Sequence, residues 1–184
     1  MAGPAKNKKY TYSDYLTWDD DKRYELIDGE VFLLVSPLFI HQEISGNLLC
    51  KLGNYLEGKK CEVIMPIDVR LNSDTEDNTV VQPDISVICD PNKIEEWGCR
   101  GAPDMIIEIL SPETYNHDIV VKFNQYLKAG VREYWLVDPE ARNVRVFLLK
   151  NGEYVARAYG ETDTISVNIL EDCQIDLSDV FPPA

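Results

Sequence analysis

The sequence lacks the long apolar stretches by which membrane and exported proteins are recognised. No apolar run approaches the roughly 18 residues of a membrane span, and the opening residues M-A-G-P-A-K-N-K-K contain no apolar segment of the kind that a signal peptide needs. We therefore expect a soluble cytoplasmic protein without membrane association. Its 184 residues fit one domain, residues 10–184, preceded by a flexible basic lead-in, residues 1–9.

Motifs of several other classes are also missing. The five cysteines are scattered, with no C-x-x-C pair, so the sequence indicates neither a disulfide framework nor a structural zinc site, and a reducing cytoplasm is expected. The two histidines have no H-x-x-x-H spacing, which argues against a zinc hydrolase. Neither a glycine-rich nucleotide-binding loop nor a G-x-S-x-G elbow is present.

Basic residues are scarce. Lys and Arg number 18 against 32 Asp and Glu, which gives a formal net charge of −14. Because affinity for phosphate depends on Lys and Arg neutralising the nucleic-acid backbone, this balance argues against non-specific nucleic-acid binding. A local basic groove, or a metal ion that screens the acids, remains compatible with it.

The sequence does contain an ordered set of predicted elements. Turn signals at Asp28-Gly29 and Asn151-Gly152 predict two β-hairpins, near the N- and C-terminal ends of the domain. Apolar spacing predicts helices from about His41 to Glu57 and from Thr114 to Ala129. Three strands lie between the helices and one follows the second helix, so we predict an α/β fold with a mixed sheet covered on both faces.

Two acids stand inside apolar strand sequences. Glu108 lies in M-I-I-E-I-L, where both faces of the strand are apolar, and Asp84 lies in V-V-Q-P-D-I-S-V-I. A buried carboxylate must be protonated, paired with a cation or bound to a metal, since an unpaired buried charge is costly. Oxygen ligands on rigid strands suit hard divalent cations, so the pair predicts a metal site. The alternatives are a salt bridge for Glu108 and a turn or cap role for Asp84.

The second long helix carries Asp118, Lys122 and Tyr126 on one face. Lys122 borders the apolar stripe, from which its amine can reach the Glu108 strand and act on a water or a phosphate. The alternative is a simple ion pair between Asp118 and Lys122. His41, at the start of the first long helix, is a candidate cap, proton carrier or solvated side chain.

Five segments, in this order and spacing between about Tyr10 and Tyr154, together resemble the Uma-two family: R-Y-E-L-I-D-G-E, V-Q-P-D-I-S-V-I, G-A-P-D-M-I-I-E-I-L-S-P-E-T, D-x-x-x-K-x-x-x-Y and A-G-V-R-E-Y-W-L-V-D-P. This is a bacterial group of restriction endonucleases within the PD-(D/E)XK nuclease superfamily. The resemblance implies a restriction-endonuclease-like α-β-β-β-α-β core, here flanked by the two hairpins.

The resemblance also implies roles for individual residues. Asp84 and Glu108 match the two metal-binding acids, with Mg²⁺ or Mn²⁺ as cofactor. Where most of the superfamily has a lysine two positions after the second acid, this chain has Leu110, and Lys122 matches the helical lysine of the Uma branch. Glu30 is the candidate for a further catalytic acid on the metal side, ahead of Glu25. Possible residues lining the cleft are Gln82, His41, Glu25 and Tyr126.

The implied reaction is hydrolysis of a DNA phosphodiester by a metal-activated water, and the family analogy favours a homodimer. Two other hypotheses stay open. A non-catalytic nucleic-acid-binding or regulatory module that kept the fold is favoured by the acidic composition and the displaced lysine. A nuclease acting on RNA or branched DNA is the third. A basic face around Lys122, Lys128, Arg132 and Arg142 favours a nucleic-acid partner, whereas uniform acidity favours the second hypothesis.

Overall fold

The computed structural model describes residues 4, 8–112 and 117–183, with only the backbone for His117 and Asp118. The predicted lead-in, residues 1–9, lies largely outside this part of the chain, and so does the predicted start of the second long helix at Thr114. Within the described ranges, no helix has both the length and the apolar character needed to cross a membrane.

The helices and strands follow the predicted order with more interruptions than expected. In chain order, the described residues form α1 (Tyr12–Tyr15), β1 (Tyr24–Ile27), β2 (Glu30–Leu33), α2 (Phe39–Leu56), β3 (Glu62–Ile64), β4 (Asp68–Arg70), β5 (Val80–Val81), β6 (Ile85–Ile88), β7 (Ile94–Glu95), β8 (Gly98–Arg100), β9 (Met105–Ile109), a π-helical turn (His117–Lys122), α3 (Phe123–Ala129), β10 (Glu133–Asp138), β11 (Asn143–Lys150), β12 (Glu153–Gly160), β13 (Thr164–Ser166) and β14 (Gln174–Asp176).

The strands form two six-stranded sheets and one small pair. The larger strands build the sheet β12-β11-β10-β9-β6-β3, in which β9 and β10 are parallel and the other neighbours are antiparallel. The second sheet has the order β2-β1-β5-β4-β8-β7, and β13 pairs with β14. The predicted mixed α/β architecture is therefore confirmed, with a second sheet that the sequence did not indicate.

Both predicted hairpins are present. The β1–β2 turn has positive φ at Asp28 (49°) and Gly29 (77°), and the β11–β12 turn has positive φ at Asn151 (52°) and Gly152 (84°). Two-residue turns with both central residues in the left-handed region match the twist of the flanking strands, which is why Asn-Gly and Asp-Gly are favoured there.

Two of the three predicted core strands divide between the sheets. The segment that begins at Cys61 forms β3 and then β4, and the segment that begins at Val80 forms β5 and then β6. Each break contains a proline, Pro66 or Pro83, which has no N–H to donate to a ladder. Asp84 consequently lies at the break between two sheets and not inside a continuous strand.

The main sheet is covered on both faces. One face packs on α2 and on the C-terminal segment, residues 165–181, and the other packs on α3 and the second sheet. Strand β9 alternates between them, since Ile107 and Ile109 belong to the α2 side whereas Ile106 and Leu110 belong to the α3 side. Glu108 therefore faces α3, from within an apolar layer.

The expectation that the cysteines form no disulfide is wrong, because Cys61 and Cys89 are bonded to each other. The antiparallel register of β3 and β6 pairs Glu62 with Ile88. Cys61 and Cys89, which adjoin that pair, therefore lie opposite one another. Scattered sequence positions thus meet through strand pairing, which spacing along the chain does not reveal. Cys50, Cys99 and Cys173 are free thiols.

Candidate active site

A cleft of about 310 Å³ brings together residues from distant parts of the chain. Its walls come from the start of α2, the break between β5 and β6, the end of β9 and the π-helical turn before α3. Asp84, Glu108 and Lys122 all line this cleft. The three residues that the sequence analysis placed at the centre of the site therefore share one cavity.

Asp84 is fixed by two donors. Its Oδ2 accepts a hydrogen bond from the Ile109 amide at 2.7 Å and lies 3.0 Å from His41 Nε2. The backbone hydrogen-bond ladder between β6 and β9 ends with Ile85 opposite Ile107. Past that pair, the Asp84 carboxylate accepts the hydrogen bond of a β9 amide, that of Ile109. The side chain keeps 19% of its surface exposed, so it is anchored to the sheet while it remains accessible from the cleft.

Glu108 is almost fully buried and is held from the α3 side. Its Oε1 accepts hydrogen bonds from Lys122 Nζ at 3.0 Å and from the Tyr126 hydroxyl at 2.5 Å. Burial, reinforced by the nearby Glu108 and Glu25 carboxylates, raises the pKa of Tyr126 well above its usual value. The phenol therefore stays protonated and keeps donating to Glu108.

Lys122 stands between two carboxylates. Its Nζ lies 2.9 Å from Glu25 Oε1 and 3.0 Å from Glu108 Oε1, and only 5% of its side chain is exposed. Lys122 ends the π-helical turn, and Tyr126 follows one helical turn later, so both reach the same acid from one helix face. The alternative partner, Asp118, has its side chain outside the described part of the structure.

Of the two glutamates of the first hairpin, it is Glu25, and not the preferred candidate Glu30, that joins the cluster around Lys122. Glu25 is completely buried and accepts a hydrogen bond from the Gln82 amide at 2.8 Å in addition to its contact with Lys122. Glu30, the preferred candidate from the sequence, is exposed and pairs with Lys9. The structure does not bring Glu30 to the cluster. The register of β1 and β2 places Glu30 on the same face as Glu25, but at the turn end of the edge strand β2, where its side chain is exposed to solvent.

The other candidates divide between the wall of the cleft and the layer behind it. His41 and Gln82 line the cleft, whereas Tyr126 is fully buried beneath Glu108. His41 Nδ1 is buried and has no hydrogen-bond partner within the described ranges. Gln82 also accepts hydrogen bonds from Arg23, at 2.9 Å from Nε and 2.6 Å from Nη2.

Sequence reasoning missed Arg23 and Ser111 as cleft residues. Arg23 stands two positions before Glu25, and the two-residue period of a strand places such residues on the same side. That spacing was the available signal for Arg23. Ser111 follows the apolar β9 segment directly and carries no comparable pattern.

The oxygen donors of the cleft fit magnesium better than zinc. Within the described ranges, no group of three or more His, Cys, Asp or Glu side chains is placed to hold a metal ion. Magnesium is commonly bound by one or two carboxylates and completed by water and substrate phosphate. Asp84 and Glu108, on one cleft, match that pattern, whereas structural zinc needs four protein ligands and catalytic zinc three.

Comparisons with known proteins agree with this architecture. Residues 12–178 match the Uma2 family, described as "Putative restriction endonuclease". An uncharacterized protein from Synechocystis sp. strain PCC 6803 is 26% identical over 166 residues, which is 88% of this chain and 86% of that protein. A crystal structure of a "putative nuclease" from Anabaena variabilis superposes with a TM-score of 0.77 at 20% identity, over 94% of this chain and 97% of that one.

Proposed function

Because the chain belongs to the Uma2 family of restriction-endonuclease-like proteins, we propose that it is a metal-dependent endonuclease that hydrolyses DNA phosphodiester bonds. The observation that carries the proposal is the meeting of Asp84, Glu108 and Lys122 in one cleft, although they come from three separate elements. Two carboxylates and one ammonium group at a cavity wall are suited to a phosphate group and its counter-ion.

In this proposal Asp84 and Glu108 hold Mg²⁺ or Mn²⁺. The ion supplies polarisation of the phosphate and a lower pKa for the attacking water. The chain contributes rigidity: the Ile109 amide and His41 fix the Asp84 carboxylate, and Tyr126 fixes Glu108. Fixed ligands lower the reorganisation needed when substrate binds.

Lys122 would act on the attacking water and on the phosphate. Its ammonium group is held between Glu25 and Glu108 and lines the cleft, where it orients the attacking water and offsets negative charge that develops on the phosphate. Glu25 does not itself line the cleft; it contacts Lys122 and Gln82 from behind the cleft wall and acts through Lys122, so it is a positioning residue.

A second function is favoured by one observation, namely that the cations at the cleft already have partners. Lys122 is neutralised by Glu25 and Glu108, Arg23 is bound to Gln82, and the net charge is −14. Weak phosphate binding would follow, as expected for a module that kept the fold without catalysis, or for a nuclease that needs the metal to bind nucleic acid.

Cleavage of single-stranded, duplex and branched DNA, and of RNA, with Mg²⁺ or Mn²⁺ separates these functions. We expect Asp84→Asn and Glu108→Gln to lower the cleavage rate on the order of 100-fold or more, since each removes an anionic metal ligand. Asp179→Asn is the matched control, because Asp179 is a surface acid with 69% of its side chain exposed. Circular dichroism and urea unfolding check that the variants fold.

Binding of Mn²⁺, followed by electron paramagnetic resonance, gives a readout independent of cleavage. The proposal expects weaker binding in Asp84→Asn and unchanged binding in Asp179→Asn. Equal cleavage by the native chain and Asp84→Asn would remove Asp84 from the mechanism. A native chain that neither cleaves these substrates nor binds Mn²⁺ would establish the non-catalytic module.

A further inference from the structure

Strand β12 is the longest open edge of the two large sheets. It has eight residues, whereas the other edge strands, β2, β3 and β7, have four, three and two. Most of its side chains are exposed, including Val155 at 51%. We propose that two copies of the chain pair antiparallel through β12, about a twofold axis at Val155, and so join their main sheets into one.

The backbone pattern of β12 supports this pairing. Leu149 donates its amide to Arg132 at the start of β10, so Lys150 faces β12 and bonds with Glu153 across the Asn151-Gly152 turn. Alternation then directs the amides and carbonyls of Tyr154, Ala156 and Ala158 away from β11, to the side where the sheet ends. In the proposed register, Tyr154 of one copy bonds with Ala156 of the other, using outward groups on both strands.

Pairing of opposite charges favours this register over those with the twofold axis at Ala156 or at Arg157. About an axis at Val155, Glu153 of each copy lies opposite Arg157 of the other, which gives two opposite-charge pairs in the non-hydrogen-bonded positions where side chains are closest. An axis at Arg157 would place two arginines opposite each other. An axis at Ala156 would leave Glu153 opposite Tyr159, without a charge partner.

The side chains at the edge also fit. Val155 meets its own copy on one face of the joined sheet, and the small Ala156 meets Tyr154 on the other, so no bulky pair is forced together. Further along, Gly160 already donates its outward amide to Asp163 at 2.7 Å, which ends the open edge. A single pair of strands buries less than the roughly 1,200 Å² of a stable interface, so we expect a concentration-dependent dimer.

Sedimentation velocity over a range of protein concentrations measures the association. We expect Glu153→Arg and Arg157→Glu each to weaken dimerisation about 10-fold, because each turns two attractive pairs into repulsive ones. The double variant exchanges both charges and should restore association to near the native level. Because Lys150 lies opposite Glu153 in the same chain, Glu153→Arg also perturbs the hairpin, and the double variant keeps that defect while it restores the charge pairs.

Ala156→Pro tests the backbone pairing separately. It removes an outward amide and leaves the ladder between β11 and β12 intact, so we expect a folded monomer with a native circular dichroism spectrum. Ala156→Ser retains the amide and should dimerise as the native chain does. A native chain that stays monomeric at every concentration would overturn the proposal, and so would a dimer that neither Ala156→Pro nor the charge reversals weaken.

Discussion

At the scale of single residues, Glu25 and Glu30 have the same chemistry and opposite surroundings. Glu25 is completely buried against Lys122, and Glu30 is exposed beside Lys9. We predict that Glu25→Gln lowers the free energy of unfolding by about 1.5–3 kcal/mol, the usual contribution of a hydrogen bond to a charged group. Glu30→Gln is the control and should cost less than about 1 kcal/mol, as for other surface ion pairs.

Urea unfolding of both variants at neutral pH measures this difference. Glu25→Gln should also lower kcat with little change in KM, because it displaces Lys122 without removing any group from the cleft wall. A Glu25→Gln protein as stable and as active as Glu30→Gln would show that Lys122 needs only Glu108 for its position.

Some of these residues were predictable from local pattern and others were not. Alternation along M-I-I-E-I-L places Glu108 in an apolar layer, and helical spacing brings Lys122 and Tyr126 to one face. Glu25 was ranked below Glu30 because Glu30 belongs to the D-G-E element of the family resemblance. In this fold β1 is buried along its whole length, since the main sheet covers one face and the aromatic residues around α1 cover the other. Such burial depends on contacts that are remote in sequence.

At the scale of elements, α3 depends on the residue that ends it. Gly130 has φ of +84° and donates its amide to the Tyr126 and Leu127 carbonyls, which closes the helix that carries Tyr126. We predict that Gly130→Ala lowers the free energy of unfolding by about 1–2 kcal/mol, the cost of a left-handed conformation for a residue with a Cβ.

Gly46→Ala is the matched control for that prediction. Gly46 lies within α2 with no atom within 4 Å of an added Cβ, so alanine should stabilise the protein by about 0.5–1 kcal/mol. Thermal and urea unfolding measure both variants. Effects of the same sign for the two would contradict the assignment of Gly130 as a left-handed cap.

The division of the core strands marks what element-level reasoning missed. Pro83 is the local signal for the interruption beside Asp84, since proline cannot donate to a ladder. It did not indicate that the chain leaves one sheet for another at that point, because sheet membership depends on pairing of β5 with β1 and β4, and of β6 with β3 and β9. The predicted convergence of Asp84 and Glu108 survives the change, since β6 and β9 remain neighbours.

At the scale of the whole molecule, the disulfide between Cys61 and Cys89 ties β3, the edge strand, to β6. The bonded residues are 28 positions apart. Cross-linking a loop of that length restricts the unfolded chain and is worth about 3–4 kcal/mol in the chain-entropy model. We predict that reduction lowers the midpoint of thermal unfolding by roughly 10 °C for a protein of this size.

Calorimetry with and without a thiol reductant measures this shift, and the double variant Cys61→Ser, Cys89→Ser is the control. The variant should unfold at the temperature of the reduced native protein and should not respond to reductant. The free thiols of Cys50, Cys99 and Cys173 are still present in it, so any response that remains would come from these residues and not from the bridge. Because β6 follows Asp84 directly and the cleft lies at the other end of that strand, we expect metal binding to persist after reduction at temperatures below the transition. A native protein whose midpoint is the same in both redox states would show that the bridge adds nothing to the stability of the joined strands.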